Sequence, residues 1–274
     1  MKFDLHNHSK YSDGINTIDE LIEYRNNTSV SAFALTDHDS VLGLIHIDEK
    51  YKNIIIPGIE LSCKHNGESV HVIGLFKYGI VPQSLIDFST DYIKRRKDRA
   101  IKMASKLEEI YKLKLNLEEL LEGSDLRAVT RGNIIRNIVK YNNMSFDEAR
   151  FYISDKSEAY IPLSNTKVID GVKFLKDNNC FVILAHPVLL KRENLLEIID
   201  SGFDGMEVYY PSNQEEDTLY LKKLANEHNL ICSAGSDHHG DKSHSFMGTC
   251  TLSLEEFKPI ADAIGYDAEE MKWK

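Results

Sequence analysis

The chain has 274 residues and a formal net charge of -10, and 42% of its residues are hydrophobic. This length is enough for a substantial core, and the acidic balance excludes nonspecific binding of duplex DNA, which rests on many Lys and Arg contacts to phosphate. No apolar run approaches the roughly 20 residues that cross a membrane, and the N-terminus lacks the apolar run of a secretory signal. The cysteines form no CxxC pair, so we expect free thiols and a cytoplasmic location for a chain with Cys63, Cys180, Cys232 and Cys250.

Short apolar runs rich in β-branched residues alternate with amphipathic stretches along most of the chain. This alternation predicts an α/β fold with a parallel sheet, open or closed into a barrel. Helix start signals lie between several runs, as in Thr17-Ile18-Asp19-Glu20, which has the pattern of a capping box. The predicted strands are Phe3–Leu5, Ala32–Leu35, Ile54–Ile56, Val70–Leu75, Phe181–Leu184, Gly205–Val208 and Ile231–Ala234.

One long segment departs from this alternation. Residues 81–162 have an almost wholly helical pattern, which predicts a helical insertion that caps a barrel formed by residues 1–80 and 163–274. Within the insertion, the charged run Lys94-Arg95-Arg96-Lys97-Asp98-Arg99 is typical of a solvated helix face. We therefore expect these six side chains to face water.

Histidines and carboxylates cluster at the predicted strands, mostly directly after them. Active sites of parallel barrels occupy the C-terminal ends of the strands, so side chains distant in sequence should converge there. His6 and His8 alternate on an extended backbone and therefore face the same side. The candidate metal ligands are His6, His8, Asp13, His38, Glu60, His71, His186, Asp237 and His239.

This set of side chains predicts a cluster of metal ions. Burying so many polar groups in a barrel mouth without a metal would carry a large desolvation cost. Imidazole and carboxylate without thiolate suit Mn²⁺, Fe²⁺ or Zn²⁺. The number of ligands exceeds the need of one ion, so two or three ions are expected, an arrangement suited to phosphoryl hydrolysis.

The motifs around these residues resemble those of the PHP (polymerase and histidinol phosphatase) family. The match runs in order along nearly the whole chain, and it is closest to stand-alone bacterial phosphoesterases that act on nucleoside 3′,5′-bisphosphates and on the 5′ ends of short RNAs. The resemblance implies a distorted, TIM-like (β/α)7 barrel with a site for three metal ions. The matching motifs are Leu5-His6-Asn7-His8-Ser9, Ser12-Asp13-Gly14, Leu35-Thr36-Asp37-His38-Asp39, Pro57-Gly58-Ile59-Glu60, Val70-His71-Val72-Ile73-Gly74, Ala185-His186-Pro187, Gly205-Met206-Glu207-Val208-Tyr209-Tyr210-Pro211 and Gly235-Ser236-Asp237-His238-His239-Gly240.

The resemblance also distributes the ligands over three ions. It implies a first ion on His6, His8, Glu60 and Asp237, a second on Asp13, His38 and His239, and a third on His71 and His186 with Glu60 bridging. Arg131 matches an arginine of the subgroup's insertion, but a histidine expected two places later is Asn133 here. Together with His244, these two residues are the candidate substrate contacts.

The implied reaction is hydrolysis of a phosphate monoester or a terminal phosphodiester by a hydroxide that bridges two ions. The substrate would be a small phosphorylated compound, a nucleotide or short oligonucleotide. Metal-bound histidines are neutral and cannot also donate a proton, so the proton for the leaving oxygen comes from a free group or a water, and the candidate groups are His238, His244 and Glu207. For Glu207, support of a ligand is favoured over direct catalysis. The candidate catalytic residues are Glu60, Asp237, His238 and Glu207.

Two other functions are compatible with the motifs. One is histidinol-phosphate phosphatase, and the other is a non-catalytic PHP module that binds a partner. The long insertion and Arg131 favour the nucleotide-directed enzyme over the first alternative. The second would tolerate loss of ligands, yet none is missing. The native metals and the oligomeric state stay open.

Overall fold

A single mixed sheet forms the centre of the molecule. The structure is a computed structural model that describes residues 1–125, 127–162, 166–241 and 244–271. Its strands are β1 (Lys2–Asp4), β2 (Ala32–Leu35), β3 (Ile55–His65), β4 (Glu68–Phe76), β5 (Cys180–Leu184), β6 (Gly205–Tyr209), β7 (Ile231–Ala234) and β8 (Leu252–Ser253). They lie in the order β7-β6-β5-β4-β3-β2-β1-β8. The sheet curls until the Leu5 N–H donates to the Ala234 carbonyl at 3.0 Å, which nearly closes the predicted barrel and confirms the α/β fold class.

The strand directions differ from the all-parallel prediction. β4 runs antiparallel to both β3 and β5, and the short β8, which the sequence pattern did not predict, runs antiparallel to β1. Asn66 and Gly67, with φ of 48° and 80°, link β3 to β4 in a two-residue turn. Asn-Gly with both φ positive is the signature of a tight β-hairpin, which a parallel prediction overlooks. Because β4 is reversed, His71 near its start lies at the same mouth as the C-terminal ends of the parallel strands.

The α-helices begin with the signals expected from the sequence. The Thr17 hydroxyl accepts the Glu20 N–H at 3.2 Å, and the Glu20 carboxylate accepts the Thr17 N–H at 2.7 Å, which forms the predicted capping box. No helix within the described ranges is both long and apolar enough to span a membrane. The helices are α1 (Ile18–Asn26), α2 (Gln83–Tyr111), α3 (Leu117–Leu121), α4 (Arg131–Asn142), α5 (Phe146–Tyr152), α6 (Val168–Asp177), α7 (Leu195–Ile199), α8 (Glu215–Glu227) and α9 (Leu254–Ile264).

The two faces of the strands bury two different apolar clusters. Phe33 and Leu35 belong to the larger cluster, which also contains residues of α1, α6, α7 and α8. The alternate residues Ala32 and Ala34 belong to the second cluster, which includes Phe257 of α9. Side chains alternate between the faces of a strand, so each buried strand contributes to both clusters.

The segment between β4 and α6 is helical, as predicted. The second half of α2 packs with α3, α4 and α5 in an apolar cluster of their own, which includes Met103, Leu107 and Ile138. The first half of α2 lies against the barrel, where the Ser89 hydroxyl accepts the Val41 N–H at 3.0 Å. The division into a barrel of residues 1–80 and 163–274 and an insertion of residues 81–162 stays a prediction.

Candidate metal centre

The nine candidate ligands converge at one mouth of the barrel. His6 and His8 leave β1 on alternate positions, both side chains are fully buried, and their Nε2 atoms lie 3.0 Å apart. His186 and Asp237 follow β5 and β7 with φ of 30° and 52°. Residues other than glycine rarely adopt this left-handed backbone conformation. Residues strained in this way cluster at functional sites.

The first group of ligands surrounds the Nε2 atoms of His6 and His8. Glu60 Oε2 lies 3.3 Å from each of these nitrogens. Asp237 Oδ1 lies 3.4 Å from His6 Nε2 and 3.1 Å from His8 Nε2. Four ligand atoms therefore point at one position, and they belong to the residues that the resemblance assigns to the first ion.

The second group is centred on Asp13. Its Oδ1 lies 3.1 Å from His239 Nε2, and its Oδ2 lies 3.8 Å from His38 Nε2. The other ring nitrogen of His8, Nδ1, is 3.9 Å from Asp13 Oδ1. The three residues predicted for the second ion are thus together, and His8 stands between this group and the first.

Glu60 occupies the centre of the third group. Its Oε1 lies 3.0 Å from His71 Nδ1 and 3.1 Å from His186 Nε2. Its Oε2, which faces His6 and His8, also lies 2.9 Å from His38 Nδ1. One carboxylate therefore contacts ligands of all three groups, the position that a bridging carboxylate requires.

The carboxylates of the cluster raise the pKa of three of its histidines, His6, His38 and His239, and so favour protons on them. Burial alone would raise the pKa of Glu60, yet His38, His6 and His71 hold it well below its usual range. Against the effect of burial, Glu60 and Asp13 raise the pKa of His38 to about 10. Metal binding requires neutral imidazole and so displaces these protons.

The donor atoms fit divalent cations. Asp13 Oδ1, Glu60 Oε2 and His38 Nδ1 are buried, and although each lies close to another ligand atom, none makes a hydrogen bond of acceptable geometry within the described residues. Buried polar atoms are rarely left unpaired, and a bound ion is one reason for such exceptions. The mixture of imidazole and carboxylate suits Mn²⁺, Fe²⁺ or Zn²⁺.

Buried residues behind the cluster hold two of its histidines. Glu207 Oε1 lies 3.2 Å from His6 Nδ1, and Glu207 Oε2 accepts the His186 N–H at 2.7 Å. A side chain at Gly235 would collide with His6 and Glu207, so this close approach requires glycine. The contacts of Glu207 are those of a residue that orients ligands, which favours the supporting role over direct catalysis.

Two further residues that shape the site were not singled out from the sequence. Asp37 accepts the Ser9 N–H at 2.8 Å and the Ser12 hydroxyl at 2.5 Å, which fixes the loop that carries Asp13. The Tyr210 hydroxyl donates to Asp237 Oδ2 at 2.9 Å. Both lie inside the matching motifs, and for Asp37 the adjacent ligand His38 was the available signal.

The two histidines considered as proton donors lie in different surroundings. His238 is fully buried, accepts the Met247 N–H on Nδ1 at 3.2 Å and contacts Asn16 Oδ1 through Nε2 at 3.2 Å. Burial and the neighbouring His239 lower the pKa of His238 to about 4. His244 instead stacks on His239 with ring centroids 3.9 Å apart and retains 33% side-chain exposure. These surroundings disfavour His238 as a general acid.

The candidate substrate contacts on α4 also separate. Asn133 Oδ1 accepts the Thr130 N–H at 2.8 Å and lies 3.0 Å from the Thr130 hydroxyl, which makes Asn133 part of a capping box. Arg131 is half-exposed, and its Nη1 lies 3.6 Å from Asp155 Oδ1. The contacts of Asn133 are thus those of a helix cap, whereas the side chain of Arg131 can reach a bound substrate.

A cation-lined cavity lies beside the third group of ligands and shares His71 with it. Its described lining contains no carboxylate and includes Lys64, Tyr92, Arg96, Arg99, Arg131 and Tyr160. Arg96 and Arg99 are only 7% and 6% exposed, so the expected solvated face of the charged run is wrong for these two residues. They lie one turn apart on the side of α2 that packs inward, while Arg95 and Asp98 face water.

The sequence is similar to those of several known proteins. The sequence model of the PHP domain matches residues 4–264. Over 257 residues, the chain is 28% identical to the 5′-3′ exoribonuclease Rnm of Escherichia coli, with 86% of this chain and 85% of that protein covered. It is 26% identical to a phosphoribosyl 1,2-cyclic phosphate 1,2-diphosphodiesterase of Eggerthella lenta, with 86% and 94% covered. It is also 26% identical to a 3′,5′-nucleoside bisphosphate phosphatase of Chromobacterium violaceum, with 86% of each chain covered.

A solved structure supports the fold. A protein from Bifidobacterium adolescentis, described as a metal-dependent phosphoesterase, superimposes with a TM-score of 0.82 over 95% of this chain and 96% of its own, at 23% identity. At this identity the likeness shows the fold alone.

Proposed function

Because the chain belongs to the PHP family, we propose that it is a metal-dependent phosphoesterase that removes phosphate from nucleoside 3′,5′-bisphosphates or cleaves at the 5′ ends of short oligoribonucleotides. The observation that carries this proposal is the cation-lined cavity beside the metal-ligand cluster. His71 belongs to both, with its Nδ1 3.0 Å from Glu60. A substrate with two phosphates could place one at the cluster and the other in the cavity.

The cluster would hold two or three divalent ions, and Mn²⁺, Fe²⁺ and Zn²⁺ are the candidates. When bound, such ions supply an acidified water and neutralise the charge on the phosphoryl oxygens. The protein contributes Glu60 at the centre of the ligands and Glu207 behind His6, which together fix the positions of the imidazoles. Their contacts orient the ligands before a substrate binds.

The cavity would select the second phosphate. A guanidinium can grip phosphate through two parallel N–H donors, and Arg131 is the half-exposed arginine of the lining. Asp155 Oδ1 lies 3.6 Å from Arg131 Nη1, which is too far for a hydrogen bond. The Arg131 side chain can therefore turn toward an anion. Histidinol phosphate carries one phosphate and an ammonium group, so it would meet repulsion rather than recognition in this cavity.

A proton must reach the leaving oxygen. Among the three candidates, we propose His244, because it lies partly exposed beside His239 and is hydrogen-bonded to Asp241 at 2.8 Å. Glu207 and His238 are buried behind the cluster, where Glu207 contacts His6 and the His186 N–H and His238 contacts Met247 and Asn16, so neither is as open to a substrate as His244. The cytoplasm is the proposed location, since the four cysteines are unpaired and a reducing compartment maintains free thiols.

A substrate screen tests the proposal. Protein reconstituted with Mn²⁺ is assayed with adenosine 3′,5′-bisphosphate, a 5′-phosphorylated dinucleotide, histidinol phosphate and a cyclic ribose phosphate. We expect the first two to have the highest kcat/KM, and elemental analysis should find more than one ion per chain. A preference for histidinol phosphate or the cyclic ester, or a stoichiometry of one, would contradict the proposal.

A further inference from the structure

Arg96 contacts both the cavity and the chain segments that carry metal ligands. Its side chain is buried, lines the cavity and lies 4.9 Å from the ring of Tyr92. Its Nη2 donates to Asp39 Oδ2 at 2.5 Å and lies 3.4 Å from the Ser62 hydroxyl. Its Nε has no hydrogen-bond partner within the described residues, so one buried N–H remains for a ligand. An orphaned donor of this kind is costly unless something occupies it.

The partners of Arg96 lie beside three metal ligands, His38, Glu60 and His71. The Asp39 carboxylate accepts the Ser62 N–H at 2.8 Å and the Ser62 hydroxyl at 2.7 Å, so it ties the end of β2 to β3. The Asp39 N–H also donates to the carbonyl of Glu60 at 2.8 Å.

His38, Glu60 and His71 each lie beside that connection. His38 directly precedes Asp39, Glu60 lies two residues before Ser62, and His71 pairs with Ser62 across the β3–β4 hairpin. His38, Glu60 and His71 form one of the ligand groups that could hold an ion. The Asp39–Ser62 contact therefore sets the spacing of three ligands.

We infer that Arg96 is a positioning residue that couples anion binding in the cavity to metal binding at His38, Glu60 and His71. This rests on the proposed function, in which the cavity receives the distal phosphate. A phosphate that accepts the Nε–H fixes the guanidinium plane, and the rigid fork then holds Nη2 on Asp39. Coupling between two sites is reciprocal, so the anion should tighten the ion and the ion should tighten the anion. The distal phosphate therefore raises kcat as well as lowering KM.

The test compares Arg96→Lys with Arg131→Ala and with the matched control Arg95→Lys. Arg95 is the exposed neighbour on α2 and pairs with Asp91 at 2.9 Å, outside the cavity lining. A lysine at position 96 keeps the charge but cannot hold Asp39 and an anion with fixed geometry. The measurements are kcat and KM for adenosine 3′,5′-bisphosphate and adenosine 5′-monophosphate, and Mn²⁺ affinity without substrate.

We expect Arg96→Lys to weaken the most loosely held Mn²⁺ by roughly 10- to 100-fold and to lower kcat for the bisphosphate, so that its advantage over the monophosphate in kcat disappears. Arg131→Ala should raise KM for the bisphosphate at unchanged kcat, and Arg95→Lys should change nothing. If Arg96→Lys alters only KM and leaves Mn²⁺ affinity intact, the coupling is refuted.

Two outcomes separate this inference from the proposed function. If the unaltered protein does not hydrolyse the bisphosphate but Arg96→Lys still weakens Mn²⁺, the function is wrong and the positioning role stands. If hydrolysis occurs but Arg96→Lys retains Mn²⁺ affinity and the kcat advantage, only the inference fails.

Should Arg96→Lys melt well below the unaltered protein, Ser62→Ala provides the second variant, since it removes the hydroxyl contact of Asp39 and keeps the Ser62 N–H. Ser62→Ala should weaken Mn²⁺ in the same direction, and an unchanged affinity would also refute the coupling.

Discussion

The metal-ligand cluster and the cation-lined cavity share a wall but are built in different ways. The cluster takes its side chains from the barrel strands and the residues directly after them, and its donors are imidazoles and carboxylates. The cavity takes its cations from the inward face of α2, from β3 and from the start of α4. Strand ends are brought together by the sheet itself, whereas the cavity forms only when α2 and α4 pack over the barrel.

This difference assigns separate tasks to the two regions. A cluster fixed by the sheet can serve any phosphate ester that reaches it, because the reacting groups are always the same. With the exception of Arg96, which also holds Asp39, the cations of a cavity formed by helices can vary without disturbing that chemistry. We therefore expect cluster variants to impair all substrates, and variants of a cavity residue such as Arg131, which does not hold the cluster, to impair only those with a second phosphate.

The largest effect should come from Glu60→Gln. The amide keeps the size of the side chain but removes the negative charge that contacts His6, His38 and His71. We expect kcat to fall on the order of 1,000-fold for both the bisphosphate and the monophosphate, with loss of bound Mn²⁺. The exposed Glu216→Gln is the matched control. A near-unaltered rate with full metal content would rule out Glu60 as a bridging ligand.

Glu207→Gln should have a smaller effect of the same kind. Gln can still accept the His186 N–H but no longer places a carboxylate beside His6 Nδ1. A loss of roughly 10- to 100-fold in kcat or metal affinity is typical of a residue behind a ligand. Kinetics with both substrates should show equal losses. A change confined to KM for the bisphosphate would place Glu207 with the cavity instead.

Arg131→Ala should separate the two regions most clearly. Losing a charge-assisted hydrogen bond to the distal phosphate costs about 2 kcal/mol, which is about 30-fold in kcat/KM. Hydrolysis of adenosine 5′-monophosphate should change little, because it lacks that phosphate. Arg150→Ala, an exposed arginine of α5, is the control. Equal losses on both substrates would show that Arg131 supports the site generally.

The sequence predicted the cluster better than the cavity for a physical reason. His6, His38 and Asp237 each follow a short apolar run, and parallel strands align such positions at one edge. The PHP motifs then identified the family, which the match over residues 4–264 confirms. Ligand assignments to individual ions remain predictions that the geometry accommodates.

The errors in the sequence analysis arose where tertiary packing decides. The Asn66-Gly67 pair is the sequence signal of a tight hairpin. The parallel prediction for β4 did not take this signal into account and was therefore wrong. Arg96 and Arg99 share a helix face with apolar Tyr92 and Met103, so the 3.6-residue period already indicated an inward side. Charge alone suggested solvent, but only the barrel beneath α2 shows that this face encloses a cavity.

The smallest effect is expected for Asn133. Its amide oxygen accepts the Thr130 N–H at the start of α4, and removing this acceptor in Asn133→Ala should lower the free energy of unfolding by about 1 kcal/mol. Asn133→Asp keeps the acceptor and adds a negative charge near a helix N-terminus, so its stability should match or exceed that of the unaltered protein. Urea unfolding measures both, and kcat/KM for the bisphosphate should stay within about twofold in Asn133→Ala, since a cap that contacts no substrate contributes nothing to the transition state. Asn133→His restores the residue that the related phosphoesterases are expected to carry at this position. If histidine there binds the distal phosphate, Asn133→His should raise kcat/KM for the bisphosphate while destabilising α4, so the two properties move in opposite directions.

A large fall in kcat/KM for Asn133→Ala at unchanged stability would instead make Asn133 part of the cavity and would move the boundary between the two regions.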